Sequence, residues 1–560
     1  MIRRNLFFGI IILFVASCAS SHYLPLSDQQ LKETLKQHIS TLASDAFEGR
    51  ETGTPGEKMA YEYIIKNFKK SGLKQKGDKG YLQEFNFTSG AEFGPSTQLL
   101  INSTFYESGK DFFPLPYSSN GVVTGYVTKL KYGITDPKLN TDDYKGKVNL
   151  SKRLFVLETG TPDGNDPHGK FGEWDLRKKI DLAIKKGAAA ILFINSDTTS
   201  DDPSHDWKNH TAPSTIPVLF VKGHAASVLK DSIITNCTAG AEIIKIEKQG
   251  HNVIGFIDNK AEKTVVVGAH YDHLGYGDEG SLYRGAPAIH NGADDNASGT
   301  AALIELGKFV KGKKLKKSNY LFIAFSGEEK GLLGSNYFVK HPTIDLKKVS
   351  YMLNMDMLGR LKPDEKTLII NGTGTSEIWK SVIDSSKTPN LKIKETDSGI
   401  GPSDHTSFYL QDIPVLHFFS GTHSDYHKPS DDEDKINYEG EIMIVHMIEN
   451  ILVRLDESPK LPFTKTKNED NEETPRFKVT LGVVPDYAFD GEGMRIDGVT
   501  DGKPASKAGL QPGDIVIQLG DNKVMDMMSY MKALGKFNKG DSTKVKVKRG
   551  NVEVEKVVTF

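Results

Sequence analysis

This chain offers almost nothing for covalent cross-linking. Its 560 residues contain two cysteines, Cys18 and Cys237, which excludes a disulfide framework. Neither sign of charge dominates: 71 Lys and Arg are interspersed with 73 Asp and Glu, for a net charge of −2. That balance provides no basic face for nucleic acid and no acidic tail for a charged partner. The N-terminal apolar run, Leu6 to Ala16, is too short to span a bilayer as a helix, which takes about 20 residues. Internal repeats and low-complexity tracts are also missing. What remains is the composition of a globular enzyme, too long for one core and divided into several domains.

The N-terminus is informative. Arg3-Arg4 precede the apolar run, which ends in Val15-Ala16-Ser17-Cys18. This resembles a bacterial lipoprotein signal over residues 1–18, with Cys18 as the lipidation site. The resemblance implies an exported protein anchored to a membrane, on the periplasmic or cell-surface side of the outer membrane. Cys237 is then the only other thiol, and is expected to be a small buried hydrophobe.

Texture divides the remainder. Residues 24–118 read as the N-terminal part of a catalytic domain, with a helix from Gln29 to Leu42 and a second opened by Thr54-Pro55-Gly56, since proline suits a first helical turn. From 119 to 249 short strands surround one helix, and no convergent set of ligands appears. Its segments "YKGKVNL", "AIKKGAAAILFI" and "IPVLFV" resemble a protease-associated (PA) domain. Residues 250–458 alternate strands with helices, the pattern of a mainly parallel sheet. Residues 459–475, rich in Lys, Glu, Asp, Asn, Thr and Pro, read as a solvated linker. Residues 476–560, with "LGVVPD" and "GMRIDGVTDGKPASKAGLQPGDIVIQLGDNKV", resemble a bacterial PDZ domain, a small β-sandwich or barrel. Such a module is expected to bind a chain end or extended peptide at Leu481-Gly482-Val483-Val484.

Within 250–458, apolar runs end in residues that bind metals. Val265 to Ala269 lead to His270-Tyr271-Asp272; Tyr320 to Phe325 lead to Ser326-Gly327-Glu328-Glu329; Tyr351 to Met355 lead to Asp356; and Pro414 to Phe419 lead into a loop with Tyr426-His427. Between the first two lies Asn291-Gly292-Ala293-Asp294-Asp295-Asn296. Open α/β sheets place their chemistry beyond the carboxyl ends of their strands. Imidazole and carboxylate without thiolate suit Zn²⁺, with Co²⁺ or Mn²⁺ as substitutes. Five ligands, His270, Asp295, Glu329, Asp356 and His427, exceed the need of one catalytic zinc and suit two metals sharing a carboxylate. Asp272, two residues beyond His270, is placed to orient that imidazole. Side chains of neighbours diverge, so Glu329 can bind metal while Glu328 serves as general base. Tyr426 can donate to a developing oxyanion. His417 and His423 read as structural or substrate-side.

The motifs "GAHYDHLG", "HNGADDNASGTAALIELG", "AFSGEEKGLLGS", "NMDMLGR" and "DYHKPSDD" resemble the M28 family of di-zinc aminopeptidases. The resemblance implies an α/β zinc exopeptidase fold with a mainly parallel mixed sheet flanked by helices. It also implies two zinc ions, Asp295 as the bridging ligand, Glu328 as base and a cis peptide after Asp295. The expected activity is removal of N-terminal residues from peptides. Alternatives are a carboxypeptidase or glutaminyl cyclase of related fold, or a non-catalytic peptide-binding adaptor. The long loop from Gly275 to Gly285 is expected either to shape the substrate entrance or to be a plain surface excursion.

Overall fold

The computed structural model describes residues 26–164, 169–197, 202–203, 213–231, 233–283, 285–466, 479–485, 491–499, 502–525, 527–537, 540–550 and 552–560. The signal-like segment 1–18 and its Cys18 lie outside the described residues. Among those described, no helix is long and apolar enough to cross a membrane.

The apolar runs of the catalytic domain become a mixed sheet in the order Lys74–Gln75, Ile243–Ile257, Asn319–Phe325, Thr264–His270, Val349–Met355, Val415–Phe419, Thr367–Asn371, Lys392–Thr396. The four strands that carry the donor motifs are its parallel centre. They are covered on both faces, so they read as continuous apolar runs rather than alternating ones. Register pairs His270 with Phe325 and Gly268 with Asn354, which aligns the strand ends at one edge. Helices Asp28–Leu42, Pro55–Lys70, Gly299–Lys313 and Tyr438–Asp456 supply much of the main core. The first helix starts with a Ser27–Gln30 capping box, and the second has Thr54 as N-cap with Pro55 in its first turn.

Strands Leu82–Phe93 and Ile243–Ile257 form a long antiparallel ribbon, from Leu82 opposite Val253 to Phe93 opposite Ile243. An insertion begins at its far end, where the Gly94 amide donates to the Glu242 carbonyl. The insertion therefore starts at 94, not at 119 as the sequence texture suggests. Strands Gln98–Ile101, Thr104–Tyr106 and Phe112–Pro114 pair inside its sheets, with Cys237–Ala241 and Val218–Val221. Short strands of this kind fit either domain locally, and only their distant partners decide. The insertion holds one sheet with a parallel centre, Arg153–Glu158, Ala188–Ile194 and Val218–Val221, and one antiparallel sheet that buries Cys237.

The expected linker is also different in part. Leu461 is buried and its amide donates to Ser350, while Thr464 donates to the Thr375 carbonyl. Residues 459–466 are thus laid against the catalytic domain, and 467–475 fall outside the described residues. The C-terminal domain is an antiparallel sheet with Val483–Pro485 at one edge. It touches the catalytic domain where Thr422 Oγ1 donates to the Pro485 carbonyl at 2.6 Å and Arg495 pairs with Glu365 at 3.0 Å.

Candidate metal centre

The strand ends and the loop around Asp295 converge on one buried cluster. His270 Nδ1 lies 3.2 Å from the Asp272 carbonyl, and its Nε2 lies 3.2 Å from Asp356 Oδ1 and 3.4 Å from Asp295 Oδ1. On the other side, His427 Nδ1 faces the Gly280 carbonyl at 3.0 Å, and its Nε2 lies 3.2 Å from both Asp295 Oδ2 and Glu329 Oε2. When Nδ1 donates to a carbonyl, Nε2 keeps its lone pair for a metal. Each oxygen of Asp295 thus faces a different donor group. His270, Asp295 and Asp356 form one set able to hold a cation, and Asp295 and Glu329 belong to a second.

The loop before Asp295 needs its glycine. Gly292 has φ +56°, and a Cβ there would collide with the Asp295 carbonyl and the His273 ring. The Asp295–Asn296 peptide is cis, and Asn296 Oδ1 accepts from the amides of Gly299 and Met357. Asp294 turns away: its Oδ1 accepts from Gly359 at 2.6 Å and its Oδ2 faces His423 at 3.2 Å. His423 therefore sits behind the cluster. His417 stacks on His405, with ring centroids 4.5 Å apart, and burial pushes it down to about 4.

Glu328 and Glu329 have opposite environments. Burial raises the Glu328 carboxyl well above the ordinary range, with Asp356, Glu329 and Asp404 adding to the rise against His270. Glu329 is equally buried, yet His427 and His273 hold it well below that range. The Asp272 carboxylate is 3.8 Å from His270 Nδ1, so its carbonyl contacts the ring while its carboxylate accepts from the Glu328 amide at 3.2 Å and from Thr52 at 3.0 Å. Tyr426 stacks on His427 at 3.9 Å between ring centroids. Its hydroxyl is raised well above its usual value by burial and then by the charges of Asp295, Glu329, Glu328 and Asp356.

Three further residues complete the cluster without having been singled out from sequence. His273 is buried, with Nδ1 2.7 Å from Glu329 Oε1 and 3.9 Å from Asp295 Oδ2. It belongs to the second cation-holding set, and its signal was its place three residues after His270. Asp431 Oδ2 accepts from the amides of Asp294 and Asp295, which fixes the shared carboxylate. Arg50, fully buried, donates to the carbonyls of Leu42, Tyr271, Asn291 and Gly292. Burial lowers it to about 10 despite its carboxylate neighbours.

The donor set fits divalent cations. Asp295 is buried and Glu328, Glu329 and Asp356 are partly buried around it, and Asp404 beside them is raised to about 7 by burial. Arg50 directs its donors to carbonyls, so the pocket is short of positive charge. Buried carboxylates require pairing or a metal, and oxygen with imidazole nitrogen is what zinc accepts.

The fold and this cluster define a class: an α/β domain with a cation site at the carboxyl ends of its parallel strands. Comparison with known proteins agrees and is narrower. Residues 252–452 match peptidase family M28, and residues 463–559 match the PDZ domain. The chain thus carries an M28 peptidase domain followed by a PDZ domain. A probable leucine aminopeptidase of Trichophyton verrucosum (strain HKI 0517) is 36% identical over 191 residues, 31% of this chain and 48% of that protein. Aminopeptidase YwaD of Bacillus subtilis (strain 168) is 26% identical over 459 residues, 76% of this chain and 86% of that protein. The chain therefore spans about half the length of the fungal relative and most of the bacterial one. A solved structure, a zinc aminopeptidase from Bacillus subtilis, aligns over 78% of this chain and 96% of its own at 20% identity and a TM-score of 0.43.

Proposed function

We propose that this protein is a zinc-dependent aminopeptidase that holds two metal ions and removes N-terminal residues from peptides. The observation that carries this reading is Asp295, whose two carboxylate oxygens face separate donor groups. His270 and Asp356 would hold one ion with Asp295, and Glu329 and His427 the other. Bound there, the metals would supply Lewis-acid polarisation of the scissile carbonyl and lower the pKa of water. The chain's own groups do the rest. Glu328 receives the proton of the attacking water on its carboxylate and returns it to the leaving amine. Tyr426 donates its hydroxyl to the developing oxyanion, and Asp272 and Gly280 keep the two imidazoles turned toward the centre.

The test uses zinc-loaded protein and matched peptides with free or acetylated N-termini. Release of N-terminal amino acids from the free peptides alone is expected, with two zinc ions per chain by elemental analysis. Cleavage of acetylated peptides from the carboxyl end would replace this reading with a carboxypeptidase. Sequence motifs support the further reading of residues 119–249 as part of a PA domain and of residues 1–18 as a lipoprotein signal. The mature enzyme would then be anchored through Cys18 on the periplasmic or cell-surface side of the outer membrane, with its PDZ domain taking a chain end or extended peptide. Palmitate labelling that disappears in Cys18→Ala checks the anchor.

A further inference from the structure

A cleft of about 750 Å³ lies between the ribbon, the insertion and the loops beside the metal centre. Its volume is in the range of sites that enclose whole ligands rather than single side chains. At the near end stand Lys330 and Glu279, paired at 3.2 Å. Both are one residue from the cluster: Lys330 follows Glu329, and Glu279 precedes Gly280, whose carbonyl holds His427. At the far end the insertion contributes Asn120. Two of the residues lining the cleft are thus chain neighbours of groups in the candidate metal centre, and the rest of its lining belongs to the ribbon and the insertion.

One wall is the ribbon, lined by residues 86–90 of the outer strand and by Ile243, Lys245 and Glu247 of its partner. Among the described residues, Leu82–Phe93 pairs with one strand, Ile243–Ile257, over the stretch that lines the cleft. Asn86 and Thr88, in the middle of that edge strand, are exposed. An extended chain can add itself to such an edge through main-chain hydrogen bonds, which are indifferent to side-chain identity. The charges lining the cleft are mixed, with Lys245 and Lys330 against Glu247 and Glu279. That composition matches a neutral main chain better than an anionic or cationic ligand.

We infer that this cleft binds the part of a peptide substrate on the carboxyl side of the scissile bond, in extended form along residues 86–90. The inference rests on the aminopeptidase reading. An enzyme that removes one N-terminal residue leaves the whole remaining chain on the other side of the metals, and only that portion is long enough to fill the cleft. The protein is therefore built for oligopeptides of several residues in preference to dipeptides. It also gives the Gly275 to Gly285 loop a role, since Glu279 forms the near wall.

Two measurements on the full-length, zinc-loaded chain test this. The first compares kcat/KM for a hexapeptide with that for the dipeptide sharing its first two residues. The expected ratio favours the hexapeptide, and filling the cleft in Lys245→Trp or Asn86→Trp, both exposed positions, lowers that ratio about tenfold, through KM. The second uses Glu328→Gln protein with the same hexapeptide and reads amide hydrogen exchange, which is expected to slow at residues 86–90. An unchanged ratio in both variants, or no protection at 86–90, overturns the cleft assignment even if the dipeptide is cleaved normally. Cleavage of N-acetylated peptides overturns the aminopeptidase reading instead, and protection at 86–90 remains readable in that case.

Discussion

Two sheets with parallel centres occur among the described residues, and their strand ends are finished in opposite ways. In the insertion, strands Arg153–Glu158, Ala188–Ile194 and Val218–Val221 are buried over most of their length, like those of the catalytic sheet. Beyond one of them the chain supplies its own cation: the Lys179 ammonium donates to the carbonyls of Glu158, Thr159 and Gly160. In the catalytic domain the strand ends present carboxylates and imidazoles, and the buried arginine beneath them is committed to carbonyls. One sheet closes its edge with an internal positive charge. The other gathers carboxylates and imidazoles into sets able to hold a cation. The shared architecture is therefore neutral as to function, and the residue just past each strand decides.

Substitutions should widen or erase this contrast to different degrees. The largest effect is expected from Asp295→Ala, which removes the shared carboxylate. Metal ions contribute several kcal/mol to such transition states, so kcat/KM should fall at least about 10³-fold at 1.36 kcal/mol per decade. Elemental analysis should find metal lost along with activity. Next comes Glu328→Gln, expected to lose about 10²–10⁴-fold in kcat while retaining full metal content. Loss of metal in that variant would contradict the division of labour between the two glutamates. His273→Ala, which removes the partner of Glu329, should weaken metal affinity about 10–100-fold, as measured by competition with a chelator, with a smaller fall in kcat at saturating zinc.

The smallest effect belongs to the insertion. Burial holds Lys179 at about 8, below its ordinary 10.5. Between those values the unfolded chain binds the additional proton, so the stability of the wild-type insertion should rise with pH across that window. Below about 8 the cost of burying the charge is fully present. Lys179→Met should abolish this slope in urea midpoints followed through Trp174, which is buried in the insertion, whatever its effect on absolute stability. Activity toward a dipeptide should follow metal content in Asp295→Ala and His273→Ala, fall without loss of metal in Glu328→Gln, and pH-dependent stability should change only in Lys179→Met.

The contrast also explains what could be read from the residues in order. The central strands were legible because burial on both faces makes them continuous apolar runs, and the donors follow directly in the chain. His270, Glu329 and Asp356 were found for that reason, Asp295 and His427 by the loop motifs that hold them, and all five meet in one cluster. His273 was passed over because a second histidine on the same short stretch looks redundant until its ring is seen against Glu329. Arg50 and Asp431 were invisible for a different reason. Arg50 reaches Tyr271 and Gly292, and Asp431 reaches Asp295, across long sequence separations that leave no local pattern. The same difficulty misplaced Gln98–Ile101 and Phe112–Pro114, whose partners lie more than a hundred residues away.

The ribbon that carries the insertion has a mechanical consequence. The chain crosses between the two domains twice, and the crossings are hydrogen-bonded to each other from Leu82–Val253 to Phe93–Ile243. Such a connection behaves as a leaf spring rather than a tether: it resists stretching and sideways swing and yields mainly to twist and bending. Nicking one of its two strands would leave the other intact and the pairing in place. The insertion would then keep its station over the catalytic domain after a cut that would release a module held by a single linker.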